Sequence, residues 1–451
     1  MILTRPLRRI LWRTSHPMAT VTPMATPSSV SAQRSSRTPS HRTASQWVAA
    51  VTTAVLATSA SSCSTPDTSL ADAYAFLDLA MDTCGRGDQL RLPPSYLSGV
   101  PAADSPDASY VYDVAVTTIA YTARGTDEDL ARARTLAASL VALQTSDPAG
   151  DGRLRNAYPC TAPAGSTQAL TDTTSTGNMA WAGLALLQVH ATDDDAATLE
   201  AAVRLGTWVH ETTADDRGTG GYTGGLDADG SAFRWKSTEH NLDVAAFFLM
   251  LASATGDPVW SERAESAMAT VTALQDPASG HYWVGTGTDG TTPNTEDYVP
   301  EDVQSWASLV LPGEATSRAL DWAAVNLVVG PDGARGAKVG DGPDTSETVW
   351  FEGTAHLACA LRVRGLDRDA ALADELLDTL RDAQRAPETP GDDSPAADDR
   401  PDDQPRGIPA ASQDGTAGGD STIYDALHTG TTAWFVLALQ GSDPFSDDGR
   451  T

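Results

Sequence analysis

Lysine is almost missing from this chain. Only Lys236 and Lys338 occur, and basic residues number 30 against 60 acidic ones. The shortage is uneven: residues 1–62 hold seven Arg and no acid, which leaves 23 basic against 60 acidic residues and a formal charge of -37 on the rest. Phosphate binding needs the opposite sign, so nucleic acid is excluded as a natural partner. Long apolar runs are lacking too. The segment "WVAAVTTAVLAT" (47–58) is too short to span a bilayer as a mature helix. Cysteine occurs four times, with no spacing that suggests a zinc site, so neither a metal nor a cofactor is expected. Strand-like alternation is weak throughout, which argues against an all-β or parallel α/β fold.

What is present at the N-terminus reads as an export signal. An Arg- and Ser-rich stretch precedes that apolar run, and "SASSCST" follows it. Cys63, after small residues, resembles a bacterial lipoprotein box, with Ala60 where Leu is usual. Residues 1–62 are therefore taken as signal peptide or leader, Cys63 as a lipid attachment point, and 63–68 as a short tether. Ordinary cleavage nearby is the alternative. The chain would be exported, as a cell-surface lipoprotein or a secreted protein, with a lipid anchor as its only membrane contact. Export permits disulfides, and Cys84 and Cys160 are the candidate pair. Cys359, inside "TAHLACAL", reads as a small buried hydrophobe.

Pairs of helices with different character recur along the remainder. The first member is apolar nearly all round: "YVYDVAVTTIAY" (110–121), "NMAWAGLALLQV" (178–189), "LDVAAFFLML" (242–251), "VQSWASLVL" (303–311), "TAHLACAL" (354–361) and "TTAWFVLAL" (431–439). The second is amphipathic, as in "DEDLARARTLAASLVAL" and "DRDAALADELLDTLRDA". An all-round apolar helix is buried and an amphipathic one covers it. With "SLADAYAFLDLAMDTC" (69–84) as the sixth outer member, the pattern predicts an all-α, (α/α)6 barrel over 69–440, a monomer. A stack of hairpins with open ends would show the same alternation. The stretch 385–420, rich in Pro, Asp and Gly, is expected to be a disordered acidic insertion, and 441–451 a tail.

Acids and aromatics gather where the inner helices begin. Tyr112 and Asp113 open the first, and Asn178 and Trp181 the second. Trp235, Lys236, Glu239, His240 and Asp243 open the third, and Asp302, Gln304 and Trp306 the fourth. Trp350, Glu352 and His356 open the fifth, and Tyr424, Asp425 and His428 the sixth. In a closed barrel these starts meet at one mouth. Capping accounts for single acids, and Glu301 reads as a cap or surface residue. Capping does not account for aromatic and acidic residues recurring together. Aromatic faces suit sugar rings, and paired carboxylates suit glycosidic hydrolysis, one protonated and one ionised. "GGYTGG" (220–225) reads as a loop letting substrate approach the backbone, or as a flexible turn.

The segments "SYVYDVAVTTIAY", "GGYTGG…WKSTEHNLDVAAF", "EDVQSWASL" and "VWFEGTAHLACAL" resemble bacterial proteins of the six-hairpin glycosidase-like superfamily, over about residues 66–440 without the acidic insertion. The resemblance implies the (α/α)6 barrel and a carbohydrate substrate. It implies no single chemistry, since the superfamily holds glycoside hydrolases, phosphorylases, polysaccharide lyases and sugar epimerases. It points by position to Asp113, Glu239, Asp302 and Glu352 as catalytic residues, with Glu239 as general acid and Asp302 or Glu352 as base. Tyr112, Trp181, Trp235, Lys236, His240, Asp243, Trp306, Trp350, His356 and His428 are the expected substrate-binding residues. A glycoside hydrolase is the leading reading. A lyase or epimerase using His and Tyr, or a non-catalytic glycan-binding lipoprotein, are the alternatives.

Overall fold

Inner and outer helices alternate along the chain in the computed structural model, which describes residues 67–98, 107–165, 168–331, 334–343, 345–386, 405–416 and 422–446. The inner helices are α2 (Val111–Arg124), α4 (Thr176–Asp193), α6 (Thr238–Thr255), α8 (Glu301–Val310), α10 (Phe351–Arg364) and α12 (Thr429–Gln440). The outer ones are α1 (Ser69–Thr83), α3 (Asp127–Ser146), α5 (Ala196–Thr213), α7 (Val259–Ala273), α9 (Glu314–Asn326) and α11 (Ala370–Arg385). Each inner helix packs against the next, and α12 packs against α2, so the inner ring closes. The sixth hairpin is formed by the two ends of the barrel, α12 and α1. There the Tyr74 hydroxyl donates to the Ala120 carbonyl at 2.7 Å, and Gln384 donates to the Ser69 carbonyl at 3.0 Å.

Local sequence explains the starts and stops. Thr126 and Asp129 form a capping box at α3, and Asp195 of "TDDDAAT" caps α5. Helices α2, α6, α10 and α12 each end on a left-handed Gly, a conformation that a Cβ would penalise. At Gly183 of α4, a Cβ would sit 2.1 Å from the Phe247 ring, so glycine lets α4 and α6 approach.

Strand structure is confined to pieces too short to register as alternation, yet it has a pattern. Ala108–Tyr110 pairs with Ala157–Pro159 ahead of α2, and Thr174–Ser175 with Gly225–Leu226 ahead of α4. Ser237 bridges Gly285 ahead of α6, and Val299–Pro300 pairs with Gly340–Asp341 ahead of α8. Trp350 bridges Ala411 ahead of α10, and Leu427–His428 pairs with Ile408–Pro409 ahead of α12, where His428 also bridges Tyr96. Each start is thus tied to the loop that precedes the next inner helix, and the last is tied back to the first. A girdle of antiparallel pairings surrounds the mouth.

Two boundaries differ from expectation. Within 385–420, Ala370–Arg385 extends α11 to its end, and residues 405–416 belong to the fold, with Ile408, Ala410 and Ala411 buried. A handful of small apolar residues is enough there because the backbone pairs with the α10 and α12 starts. The expected tail is not a tail over 441–446. The Phe445 ring lies 5.0 Å from Trp181 and 5.8 Å from Trp306, and Gln188 donates to the Pro444 carbonyl at 2.9 Å. Residues 387–404, 417–421, 447–451 and 1–66, which include the expected leader and Cys63, lie outside the described residues.

Cys84 and Cys160 form a disulfide across 76 positions, and Cys359 is free and buried. Chain entropy for a loop of that size gives about 4.5 kcal/mol. Replacing both cysteines with Ser should lower the unfolding free energy by at least about 2 kcal/mol in urea titration. Phe445→Ala should lower it by about 3 kcal/mol and shift tryptophan emission, because it removes the prop beneath Trp181 and Trp306.

Candidate active site

Five inner helices and His428, the cap of α12, turn residues into one pocket of about 340 Å³ at the mouth. The residues come in helical rows. Glu352 and His356, Asp302 and Trp306, and Glu239 and Asp243 are each separated by four positions, so each pair points along one face toward the lumen. The acids are free for this because the caps fall elsewhere: Ser237 accepts the His240 N–H at 3.3 Å, and His428 caps α12.

Tryptophans make the floor. Trp181, Trp306 and Trp434 meet with ring centroids 5.2–5.9 Å apart, and Trp306 and Trp434 are nearly parallel. The Trp434 N–H donates to the Tyr112 hydroxyl at 2.7 Å, which donates in turn to Glu352 Oε1 at 2.8 Å. Tyr112 therefore fixes one oxygen of Glu352 from below.

One wall is an alternating series of carboxylates and imidazoles. His428 Nε2 stands 3.5 Å from Asp113 Oδ2, and its Nδ1 3.5 Å from Glu352 Oε2. His356 Nε2 stands 3.7 Å from Glu352 Oε1, and its Nδ1 3.5 Å from Glu301 Oε2. Burial disfavours the His356 imidazolium, but Glu301 and Glu352 outweigh it and hold its pKa up at about 9. Burial likewise works against charge on Glu352, yet His356, His428 and Tyr112 bring its pKa below the ordinary value. The imidazole of His428 is also buried, and Asp113 and Glu352 raise its pKa against that burial. Its neutral form is tied to the helix, since Nδ1 accepts the Thr431 N–H at 3.1 Å. Protonation at Nδ1 gives up this cap.

On the opposite wall burial outweighs the pull of His356 on both carboxylates. Glu239 makes no hydrogen bond among the described residues, and burial, aided by the Asp302 charge, pushes it up to about 8. Burial pushes Asp302 up to about 7 despite the pull of His356, while its Oδ1 accepts the Val303 N–H at 2.6 Å. One pocket thus holds an ionised carboxylate, Glu352, facing a pair that retains a proton near neutrality. Environments that drive two carboxyl groups apart are the means by which acid and base roles separate.

Of the expected residues, Asp113, Glu239, Asp302, Glu352, Tyr112, Trp181, Trp306, Trp350, His356 and His428 line this pocket. Four do not. Trp235 stacks on Phe233 at 5.2 Å and lies outside the mouth. Lys236 is buried beneath the glycine loop, donating to the Arg217 and Gly220 carbonyls and pairing with Asp215 at 3.5 Å. Both residues precede the Ser237 cap, and no helical geometry aims them at the lumen. His240, whose burial lowers its pKa to about 4, packs on Gly177 and Trp235. Asp243 does not line the pocket: it is fully buried beside the Trp181 indole, and burial raises its pKa well above the ordinary value. The "GGYTGG" loop packs on α6 and α7, where a Cβ at Gly221 would meet Thr270 at 2.3 Å, and lines no part of the pocket.

Sequence reasoning missed other residues. Glu301 is neither cap nor surface: it is fully buried, with Ser305 donating to it and His356 beside it. Tyr96, Tyr110, Ala410 and Ile423 line the rim from loops that carry no periodic signal. Among the described residues, no cluster of three or more His, Cys, Asp or Glu is arranged to hold a metal ion.

No family model and no curated protein matches the sequence. Solved structures do match the fold. A sugar epimerase from a ruminal bacterium superposes with a TM-score of 0.60 at 14% identity, over 83% of this chain and 98% of that one. The cellobiose 2-epimerase of Bacillus thermoamylovorans gives 0.60 at 12%, over 82% and 98%. A glycosidase in complex with glucose gives 0.55 at 13%, over 84% and 99%. At these identities the likeness is one of architecture, and with the alternating helices and the closed inner ring among the described residues it shows the (α/α)6 barrel fold.

Proposed function

We propose that this chain is an exported carbohydrate-active enzyme, a glycoside hydrolase with Glu239 as general acid and Glu352 as general base or nucleophile. The observation that carries the reading is the split in ionisation across one tryptophan-floored pocket, with Glu352 held ionised by imidazoles and Glu239 held protonated by burial. Burial raises Asp302 as it raises Glu239, and Asp113 orients His428. The sugar-processing neighbours support a carbohydrate substrate. The Cys84–Cys160 disulfide supports an oxidising compartment, in keeping with a leader ending at Cys63 as the lipid anchor of a monomer.

A second reading has a specific observation behind it. His356 and His428 both line the pocket, and several structural neighbours are epimerases or an isomerase. On that reading an imidazole moves a proton at a sugar carbon, and the products are isomers that take up deuterium from heavy water. A hydrolase yields shorter saccharides and no carbon-bound deuterium. A glycan screen with product analysis separates the two, and binding without turnover would leave only a glycan-binding protein.

Glu239→Gln, Asp302→Asn and Glu352→Gln should each lower kcat, Glu239→Gln and Glu352→Gln by roughly 10²–10⁴-fold. Glu239→Gln should recover most with an aryl glycoside, whose leaving group needs little protonation. Full activity in all three variants would remove the assignment. Because the acid works only while protonated, the rate should fall as pH rises through about 8. Because the base works only while ionised, activity should persist to below the usual carboxylate range as pH falls.

Glu301→Gln tests the wall behind His356. Losing that negative charge should lower the His356 titration midpoint from about 9, read by proton NMR of the ring. With His356 neutral, Glu352 loses its main cation and its pKa rises, so the low-pH limb of activity should move upward. An unchanged midpoint and limb would show that Glu301 only packs.

A further inference from the structure

A second cavity, a groove of about 1020 Å³, shares no lining residue with the catalytic pocket. It has three times the 340 Å³ of that pocket and stands at the upper end of the range for ligand sites, about 300–1,000 Å³. Its walls are the C-terminal end of α5, the loop 214–223, the turn 232–234 and the first half of α7, all within one continuous described stretch. The "GGYTGG" segment finds its place here. Gly220 and Gly221 have positive φ, and a Cβ on either would strike Ser266 or Thr270 of α7, so the loop backbone lies flat along the wall. Lys236, buried beneath, clamps the loop by donating to the Arg217 and Gly220 carbonyls.

The polar groups of the groove are not spent on one another. Most described arginines of this acid-rich chain are held by carboxylates, as Arg217 is by Asp215. The guanidinium groups of Arg234 and Arg263 have no hydrogen bond or ion pair among the described residues, and that of Arg263 lies 4.5 Å over the Trp260 ring. His210, its pKa lowered by burial and by Arg263, is neutral near pH 7, and its buried Nδ1 has no partner among the described residues. Asp216 and Glu262 are exposed in the same groove, and Phe233 adds a half-buried ring backed by Trp235 at 5.2 Å. With Asp215 and Arg217, three carboxylates face three guanidinium groups, so the groove is balanced in charge although the chain is not. An ion of either sign would gain from one set and be repelled by the other. Sugar hydroxyls both donate and accept, so one ring can use carboxylates, guanidinium groups and a neutral imidazole together, with its apolar face on Phe233.

We infer that this groove is a second saccharide site, where an uncharged oligosaccharide lays a ring on Phe233 and its hydroxyls on Arg234, Arg263, His210, Asp216 and Glu262. The inference rests on the carbohydrate reading and not on hydrolysis. Phe233 and Glu239 are six positions apart, which a fully extended chain spans in about 22 Å. A glycan held in the groove therefore stays close to the pocket, and its local concentration there rises.

The test uses the full chain carrying Glu352→Gln, which keeps ligands intact, in equilibrium dialysis with tritiated gluco-, manno- and galacto-trisaccharides. In at least one series this parent should bind two trisaccharides per chain, and adding Phe233→Ala or Arg263→Gln should remove one of them. Loss of one saccharide in either variant that melts as the parent does upholds the groove. A parent that binds a single trisaccharide and loses it in the groove variants also upholds the groove, and takes the ligand away from the pocket. Full retention in both variants, or no binding of any series by the parent, overturns the inference, and turnover of the same series by the native chain decides the hydrolase reading separately. Trigalacturonate losing a site where no neutral trisaccharide does would overturn the assignment to an uncharged saccharide.

Discussion

Backbone pairing at the rim is the constraint on which the mouth depends. Six inner helices arranged as a ring are free, by packing alone, to slide or rotate relative to one another, because alanine- and leucine-rich faces fit in several registers. The short ladders and bridges ahead of each helix remove that freedom. Asp113, Glu239, Asp302 and Glu352 all lie within three residues of such a tie, so their positions inherit its precision. A site on the first turn after a hydrogen-bonded pairing needs little further support to hold its side chains within reach of one substrate atom.

Given that geometry, the two walls differ because of what stands behind each carboxyl group. Glu352 has an imidazole on either side and a tyrosine hydroxyl below, and it stays charged although buried. On Glu239 and Asp302 burial outweighs the pull of His356, and both are raised. His356 of α10 and His428, the cap of α12, stand against Glu352, whereas burial governs Glu239.

Much of this arrangement is legible in the sequence, and the limits of legibility are physical. Helical rows are visible because burial on all sides leaves long apolar segments, and the four carboxylates could be read as neighbours because parallel helices place their starts together. Glu301 is a different case. It is adjacent to Asp302, but one residue turns a helix by about 100°, and this directs Glu301 behind His356 and Asp302 into the pocket. Trp235 and Lys236 looked equivalent to Glu239 by proximity, yet they lie before the Ser237 cap, where helical periodicity says nothing about direction. Residues 405–416 and Phe445 were hidden by composition. Two-residue strands leave no alternation, and a single aromatic after Pro444 does not announce that it packs beneath the tryptophans of a barrel.

The sixth hairpin, assembled from the first and last helices, has a bearing on how the molecule is made. Five hairpins can form as local units while synthesis proceeds, since their partners are neighbours in sequence. The contact between α12 and α1 must wait until some 350 residues separate the two helices. Until then the growing solenoid exposes two apolar edges and an unpaired rim, the condition that invites aggregation or exchange between chains. Ring closure is therefore the late and vulnerable event in biogenesis. The Cys84–Cys160 disulfide ties the end of α1 to the loop ahead of α4, so α1 can be held to the early part of the ring before α12 exists.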